Sequence, residues 1–188
     1  MSTQIMLDLE TLGTTPGSVI IAIGAAKFEE GCITGCFYAR VDAQSCVDIG
    51  LTIDASTVMF WLRQSDAARL EVVNAGKPII DVLREFSIWV DDPDAEVWGN
   101  GASFDNALLD AAYVRAKLDR PWAWWGDRCY RTVKNLRPDI PIARQGVAHN
   151  ALDDARSQAM HLMQILAEIK PKSPGAVVTS FVSSTGNI

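Results

Sequence analysis

The stretch Thr3-Gln4-Ile5-Met6-Leu7-Asp8-Leu9-Glu10-Thr11-Leu12-Gly13 reads as a strand that turns from apolar to acidic along its length. Ile5, Met6 and Leu7 form an unbroken apolar run, the pattern of a strand covered on both faces. Side chains alternate sides along a strand, so Asp8 and Glu10, two residues apart, project from the same face. Two carboxylates brought together at the end of a central strand repel each other unless a cation lies between them. Oxygen donors of this kind suit hard divalent ions such as Mg²⁺ or Mn²⁺. An acid-x-acid pair is also an ordinary solvated face on an exposed strand, but the apolar run ahead of Asp8 argues against that here.

Working outward, Ser18 to Phe28 and Ile33 to Val41 read as two more strands separated by Gly31, and their short spacing predicts an antiparallel meander. Ser56 is the expected N-cap of a helix through Leu62, and Ile79, Val82, Leu83, Phe86 and Val90 recur at helical period. A strand at Glu96 to Trp98 is broken by Gly99 and Gly101, after which Ser103 or Phe104 opens a helix carrying Leu108, Leu109 and Ala112. A Trp-rich loop (Trp122, Trp124, Trp125), a short segment at 127–135 and a loop through Pro138 and Pro141 lead to a last helix. That helix begins at Asn150, carries the apolar stripe Leu152, Ala155, Ala159, Leu162, Met163 and Leu166, and ends near Lys170 before Pro171. Residues 171–188 contain turn-formers without period and are predicted to be a flexible C-terminal tail, leaving 1–170 as one domain. Meander strands followed by helices alternating with strands predict an α/β or α+β domain with a mixed sheet, whose ligands sit at strand ends.

The 188 residues, 48% hydrophobic, suffice for one buried core and are too few for two comfortable ones. There is no apolar run of roughly 18–20 residues and no basic, apolar leader at the N-terminus, so a cytoplasmic protein without a membrane span is expected. Cys32, Cys36, Cys46 and Cys129 form no CxxC pair, and with two histidines in the chain they read as reduced thiols rather than zinc ligands. A net charge of −6 argues at first against a nucleic-acid partner. Its distribution weakens that objection: Arg115, Lys117, Arg120, Arg128, Arg131, Lys134, Arg137 and Arg144 face three aspartates within residues 115–144, a local balance of +5.

His149-Asn150-Ala151-Leu152-Asp153-Asp154-Ala155 is the second chemically informative stretch. His149 falls on the loop entering the last helix and Asp154 about one turn in, so both can reach one pocket. Asp153, near N3, has a structural use where a carboxylate meets free amides and the positive dipole end; helical periodicity does not decide between the two aspartates. Asp105, in the first turn after Ser103, invites the same dipole explanation; Asp110 further along reads as surface, and His161 as structural or exposed.

Together Asp8-x-Glu10-Thr11-x-Gly13, Phe104-Asp105 and His149 followed by Asp154 resemble, in order and spacing along about 150 residues, the three motifs of the DEDDh exonucleases. Within that superfamily TLGTTPGSVIIAIGAAKF, STVMFWLRQS and VWGNGASFDN look most like the Rv2179c-like bacterial and phage 3′→5′ exoribonucleases. One departure is that Gly101 occupies a position where better-known members carry Asn, with Asn100 one place earlier. The resemblance implies a ribonuclease H-like fold, a five-stranded mixed β-sheet flanked by helices. It further implies two Mg²⁺ ions, replaceable by Mn²⁺, held by Asp8, Glu10, Asp105 and Asp154, with His149 as general base. An imidazole, ordinarily titrating near pH 6.5, suits that role. The substrate implied is the 3′ end of RNA, of single-stranded DNA, or of both, released as 5′-nucleotides. Thr11 and Leu12 follow as substrate contacts. Phe60, Trp61 and the tryptophan loop are aromatic candidates for stacking on bases, with core packing or a homodimer contact as the other reading of the tryptophans. A scaffold subunit that keeps the fold without turnover is the competing function; the complete acidic set argues against it.

Overall fold

Strand β1 (Gln4–Thr11) is the middle of five. It pairs antiparallel with β2 (Ile20–Glu29), which pairs antiparallel with β3 (Cys32–Arg40). On its other side β4 (Glu96–Gly99) runs parallel to β1, and β5 (Asp127–Cys129) parallel to β4, giving the order β3-β2-β1-β4-β5. This computed structural model describes residues 2–169; the expected tail at 171–188 lies outside them. Among the described residues no helix is long and apolar enough to cross a membrane.

The period of two along β1 divides the molecule into two layers. Ile5, Leu7 and Leu9 enter the larger core, with α4 (Ile79–Val90) and α5 (Asp105–Ala116) supplying Val82, Leu83, Phe86, Leu108 and Leu109. Met6 points the other way and packs with Trp98, Tyr130, Ala155, Ala159 and Leu162 under α6 (Tyr130–Leu136) and α7 (Ala151–Ile169). Each fully buried Leu, Ile or Phe contributes roughly 1.5–3 kcal/mol before chain entropy is counted. With Met6 facing α7, alternation puts Asp8 and Glu10 on that face too.

Several local details differ from the sequence expectation. Helix α2 (Ala55–Leu62) is capped by Asp54, whose Oδ1 accepts the Ser56 N–H at 2.7 Å, so Ser56 is inside the helix rather than its cap. Two short helices, α1 (Ala43–Asp48) and α3 (Asp66–Val73), capped by Asp42 and Ser65, are too brief for apolar period to register. The segment at 127–135 divides into β5, after a 3₁₀ turn at Trp124–Gly126, and α6.

Two features open the site. β4 is only four residues long and its last pair with β1 is Leu7↔Gly99, so the acidic end of β1 projects past it. Gly24 of β2 lies opposite Asp8, and a Cβ there would come 2.1 Å from the backbone of Ala151. Glycine at this position lets the first turn of α7 descend onto the sheet beside Asp8.

Candidate active site

A cavity of about 500 Å³ lies between the end of β1 and the starts of α5 and α7, and Asp8, Glu10, Asp105, His149 and Asp154 all line it. Asp105 is the first residue of α5 and is 2% exposed. Its Oδ1 accepts the N–H of Leu9 at 3.3 Å, while its Oδ2 is buried without a hydrogen-bond partner. Oδ1 of Asp8 accepts from Gln158 Nε2 at 2.7 Å. Burial, then the charges of Asp105, Glu10 and Asp154, push the Asp8 carboxyl well above its ordinary range. Burial likewise pushes Asp105 up to about 7, against the pull of backbone N–H groups and Arg131.

The start of α7 distinguishes its neighbouring aspartates. Asn150 Oδ1 accepts the N–H groups of Leu152 and Asp153 at 3.2 and 3.1 Å, capping the helix. Asp153 turns back to the incoming loop, accepting Val147 N–H at 2.8 Å beside Gly146, whose φ of +74° excludes easy substitution. Asp154 faces the cavity, its Oδ2 accepting the N–H of His149 at 3.1 Å and its Oδ1 the guanidinium of Arg144 at 3.1 Å. His149 has a left-handed backbone, φ 63°, and its ring meets Phe60 and Trp61 edge to face at 5.5 and 5.9 Å. Among the described residues the one set of three ligand-type side chains with donor atoms mutually within 4.8 Å is Glu10, His149 and Asp154.

This donor set fits divalent cations. With Asp8 and Asp105 beside it the donors are mostly carboxylate oxygen, Oδ2 of Asp105 is buried without a partner, and the charges of Asp105, Glu10 and Asp154 add to burial in raising the proton affinity of Asp8, a load that bound cations would relieve.

The remaining expected residues divide. Thr11 lines the cavity, but Leu12 does not: it is 7% exposed and belongs to the apolar core, because the chain turns inward after β1. Trp61 borders the cavity yet is 4% exposed, its indole N–H donating to Thr11 carbonyl at 2.9 Å, so it braces the β1 end instead of offering a free ring. Phe60, 42% exposed, does offer one. Trp122 is core, whereas Trp124 and Trp125 are exposed and away from the cavity lining. His161 is buried between Tyr130 Oη (2.7 Å) and Ile140 carbonyl (2.9 Å), Asp110 is a half-exposed partner of Arg120, and all four cysteines are free thiols. The displaced asparagine still matters: Gly101 takes φ 116°, and Asn100 lines the cavity with its Oδ1 buried and without a partner.

Among the cavity residues that the sequence did not single out are Gln158, Arg131 and Arg144. Gln158 follows Asp154 by four positions, which places both on one face of α7, and that spacing was the available signal. Arg131 and Arg144 reach the cavity, while Arg120, Arg128 and Arg137 of the same basic stretch are engaged in ion pairs. Charge counting has no means of separating the two groups.

The structure resembles the nuclease domain of 3′hExo, a DEDDh family member, bound to rAMP (TM-score 0.60, 14% identity, covering 89% of this chain and 92% of that one). It also resembles exonuclease X in complex with 5′ overhanging duplex DNA (0.56, 19%, 88% and 92%) and cell-death related nuclease 4 (0.60, 15%, 89% and 64%). At these identities the likeness shows the fold, the ribonuclease H-like α/β fold of DEDDh exonucleases. No curated protein sequence matches significantly. Over residues 3–166, however, the sequence matches the Rv2179c-like 3′-5′ exoribonuclease domain, and the chain belongs to that family. It is a 3′→5′ exonuclease, a hydrolase of phosphodiester bonds, and divalent-metal dependence comes with the class.

Proposed function

We propose that the protein removes 5′-nucleotides from the 3′ end of single-stranded RNA, and of single-stranded DNA overhangs, with Asp8, Glu10, Asp105 and Asp154 holding two divalent cations and His149 serving as general base. The observation that carries this reading is the buried, partnerless Oδ2 of Asp105 in a cavity where Asp8, Glu10 and Asp154 also converge. Mg²⁺ is the expected ion and Mn²⁺ its substitute; when bound, a cation pair neutralises the acids and stabilises charge on the attacking and leaving oxygens of the displacement.

The protein's own groups divide the rest of the work. His149, braced by the edges of Phe60 and Trp61, accepts the proton of the attacking water at a ring nitrogen. The water oxygen bonds to phosphorus as the P–O bond to the 3′-oxygen breaks, and the leaving 3′-oxygen takes a proton from solvent, giving a shortened chain with a 3′-hydroxyl and a 5′-nucleotide. Gln158 keeps one oxygen of Asp8 engaged and thereby fixes which oxygen points into the cavity. Phe60 stacks on the terminal base, and Thr11 lies at its edge. The cytoplasm is the expected setting, and the exposed Trp124–Trp125 pair is the surface through which we expect any homodimer to form.

The test is incubation of 3′- and 5′-labelled RNA and single-stranded DNA with Mg²⁺, Mn²⁺ or EDTA. Stepwise loss of nucleotides from the 3′ end with either metal and none in EDTA is expected. Intact substrate under every metal condition overturns the proposal.

A further inference from the structure

Arg144 takes no part in the reaction so far, although it lines the cavity. It stands on the loop before α7, its side chain 66% exposed, yet its guanidinium lies 3.1 Å from Oδ1 of Asp154, whose side chain is 17% exposed. The other oxygen of Asp154 is held by the N–H of His149, so Arg144 occupies the oxygen left for a cation. On the far side of the cavity Arg131 donates to the Asn100 carbonyl, and its charge lowers the proton affinity of Asp105. Two arginines thus serve as counter-ions to the two acids contributed by the helices, each on a separate loop or helix start.

Their commitments differ. Arg131 is tied to backbone and sits over Gly101, where even a Cβ would come within 3.3 Å of it. Arg144 is exposed, it pairs with Asp154, and a guanidinium is a planar donor matched to phosphate oxygens as well as to carboxylate. A divalent cation held by Asp154 would compete with the guanidinium for that oxygen. Once released, the side chain would stay at the cavity lining, where a nucleic-acid strand would bring its negative charge.

Resting on the exonuclease reading, we propose that Arg144 is an exchangeable clamp: it neutralises Asp154 in the cation-free protein and transfers to a backbone phosphodiester of the substrate once cations bind. The cavity then exchanges one cation for another at Asp154 while a phosphate takes up the freed guanidinium, and cation and substrate binding reinforce each other through this side chain.

The experiment uses Arg144→Gln in the full chain with two readouts that do not depend on turnover. Mn²⁺ binding without substrate, by calorimetry, is expected to tighten about two- to fivefold, the range that removal of a competing, largely exposed ion pair supplies. Binding of a fluorescent single-stranded RNA pentamer in Ca²⁺, by anisotropy, is expected to weaken about tenfold, with a salt slope shallower by roughly 0.7, the value for one phosphate no longer neutralised. Arg144→Lys, which keeps the charge, is expected to recover most of the RNA affinity. If the pair merely orients Asp154, Mn²⁺ binding weakens instead, and the proposal is overturned. It is also overturned if wild type binds and degrades RNA while Arg144→Gln binds the pentamer equally well; the exonuclease reading survives that result. Wild type that neither binds nor degrades RNA overturns both.

Discussion

Replacing Gly24 with alanine adds one methyl group at a residue that does not line the cavity and is expected to disable the enzyme. The added Cβ would lie 2.1 Å from the carbonyl carbon of Ala151 and 2.3 Å from its oxygen and from Leu152 N, where ordinary contact begins at 3.4 Å. Backbone of a packed helix does not yield like a flexible side chain, so the first turn of α7 must recede by roughly 1.3 Å. Asp154 is three residues beyond Ala151 in that turn and moves with it, whereas Asp8 stays with β1. Metal and catalytic constellations tolerate about 0.5 Å of misplacement, and a shift near 1 Å costs about 10²-fold in rate. Overpacking should also cost about 1–3 kcal/mol, lowering Tm by roughly 3–10 °C. The assay is kcat/KM on 3′-labelled RNA with Mn²⁺, a thermal melt, and a Mn²⁺ titration. Gly35→Ala in β3 is the control: its Cβ would meet Lys27 at 3.8 Å, ordinary contact, and should leave activity unchanged. Gly24→Ala with wild-type activity per folded molecule would refute the reasoning, whatever its melting temperature.

The acids and the aromatic wall give further expectations. Because Asp8 and Asp105 have raised carboxyl pKa values in the fold, their contribution to stability is present below about pH 4 and is lost as pH rises toward about 7. In EDTA, Tm should therefore fall between pH 5 and 8, and saturating Mn²⁺ should abolish that slope; a pH-independent Tm in EDTA would contradict it. Below about pH 4 the slope reverses, since the Asp54, Asp92, Glu96 and Asp139 carboxyls are held low by hydrogen bonds and lose that stabilisation on protonation. Asp154→Asn should reduce kcat by 10²-fold or more with little change in Tm, and Asp153→Asn should lower Tm by a few degrees with most activity retained, because only Asp154 faces the cavity. Phe60→Ala should raise KM about tenfold through removal of one stacking surface, whereas Trp61→Phe should act mainly on stability by freeing the Thr11 carbonyl; equal KM values for Phe60→Ala and wild type would remove Phe60 from the substrate path.

What the residues alone determined was local and periodic. Alternation along 4–10 put Asp8 and Glu10 on one face, the apolar stripe located α7, and the break at Gly99 and Gly101 placed the opening of α5 at Ser103 or Phe104, within two residues of its start at Asp105. These depend on neighbours two to four positions apart, which any chain conformation must respect. Family resemblance supplied the choice of Asp154 over Asp153, since both lie in one helical turn and periodicity treats them alike. The rest depended on distances between segments remote in sequence. Gln158 reaches Asp8 across 150 residues, Leu12 turns into the core instead of the cavity, and Trp61 spends its N–H on Thr11. Gly24 is required only because α7 descends onto it, and Arg144 stands out from its basic neighbours only because Asp154 is beside it. Such pairings follow from how helices settle on the sheet, a property of the packed whole that no window of sequence contains.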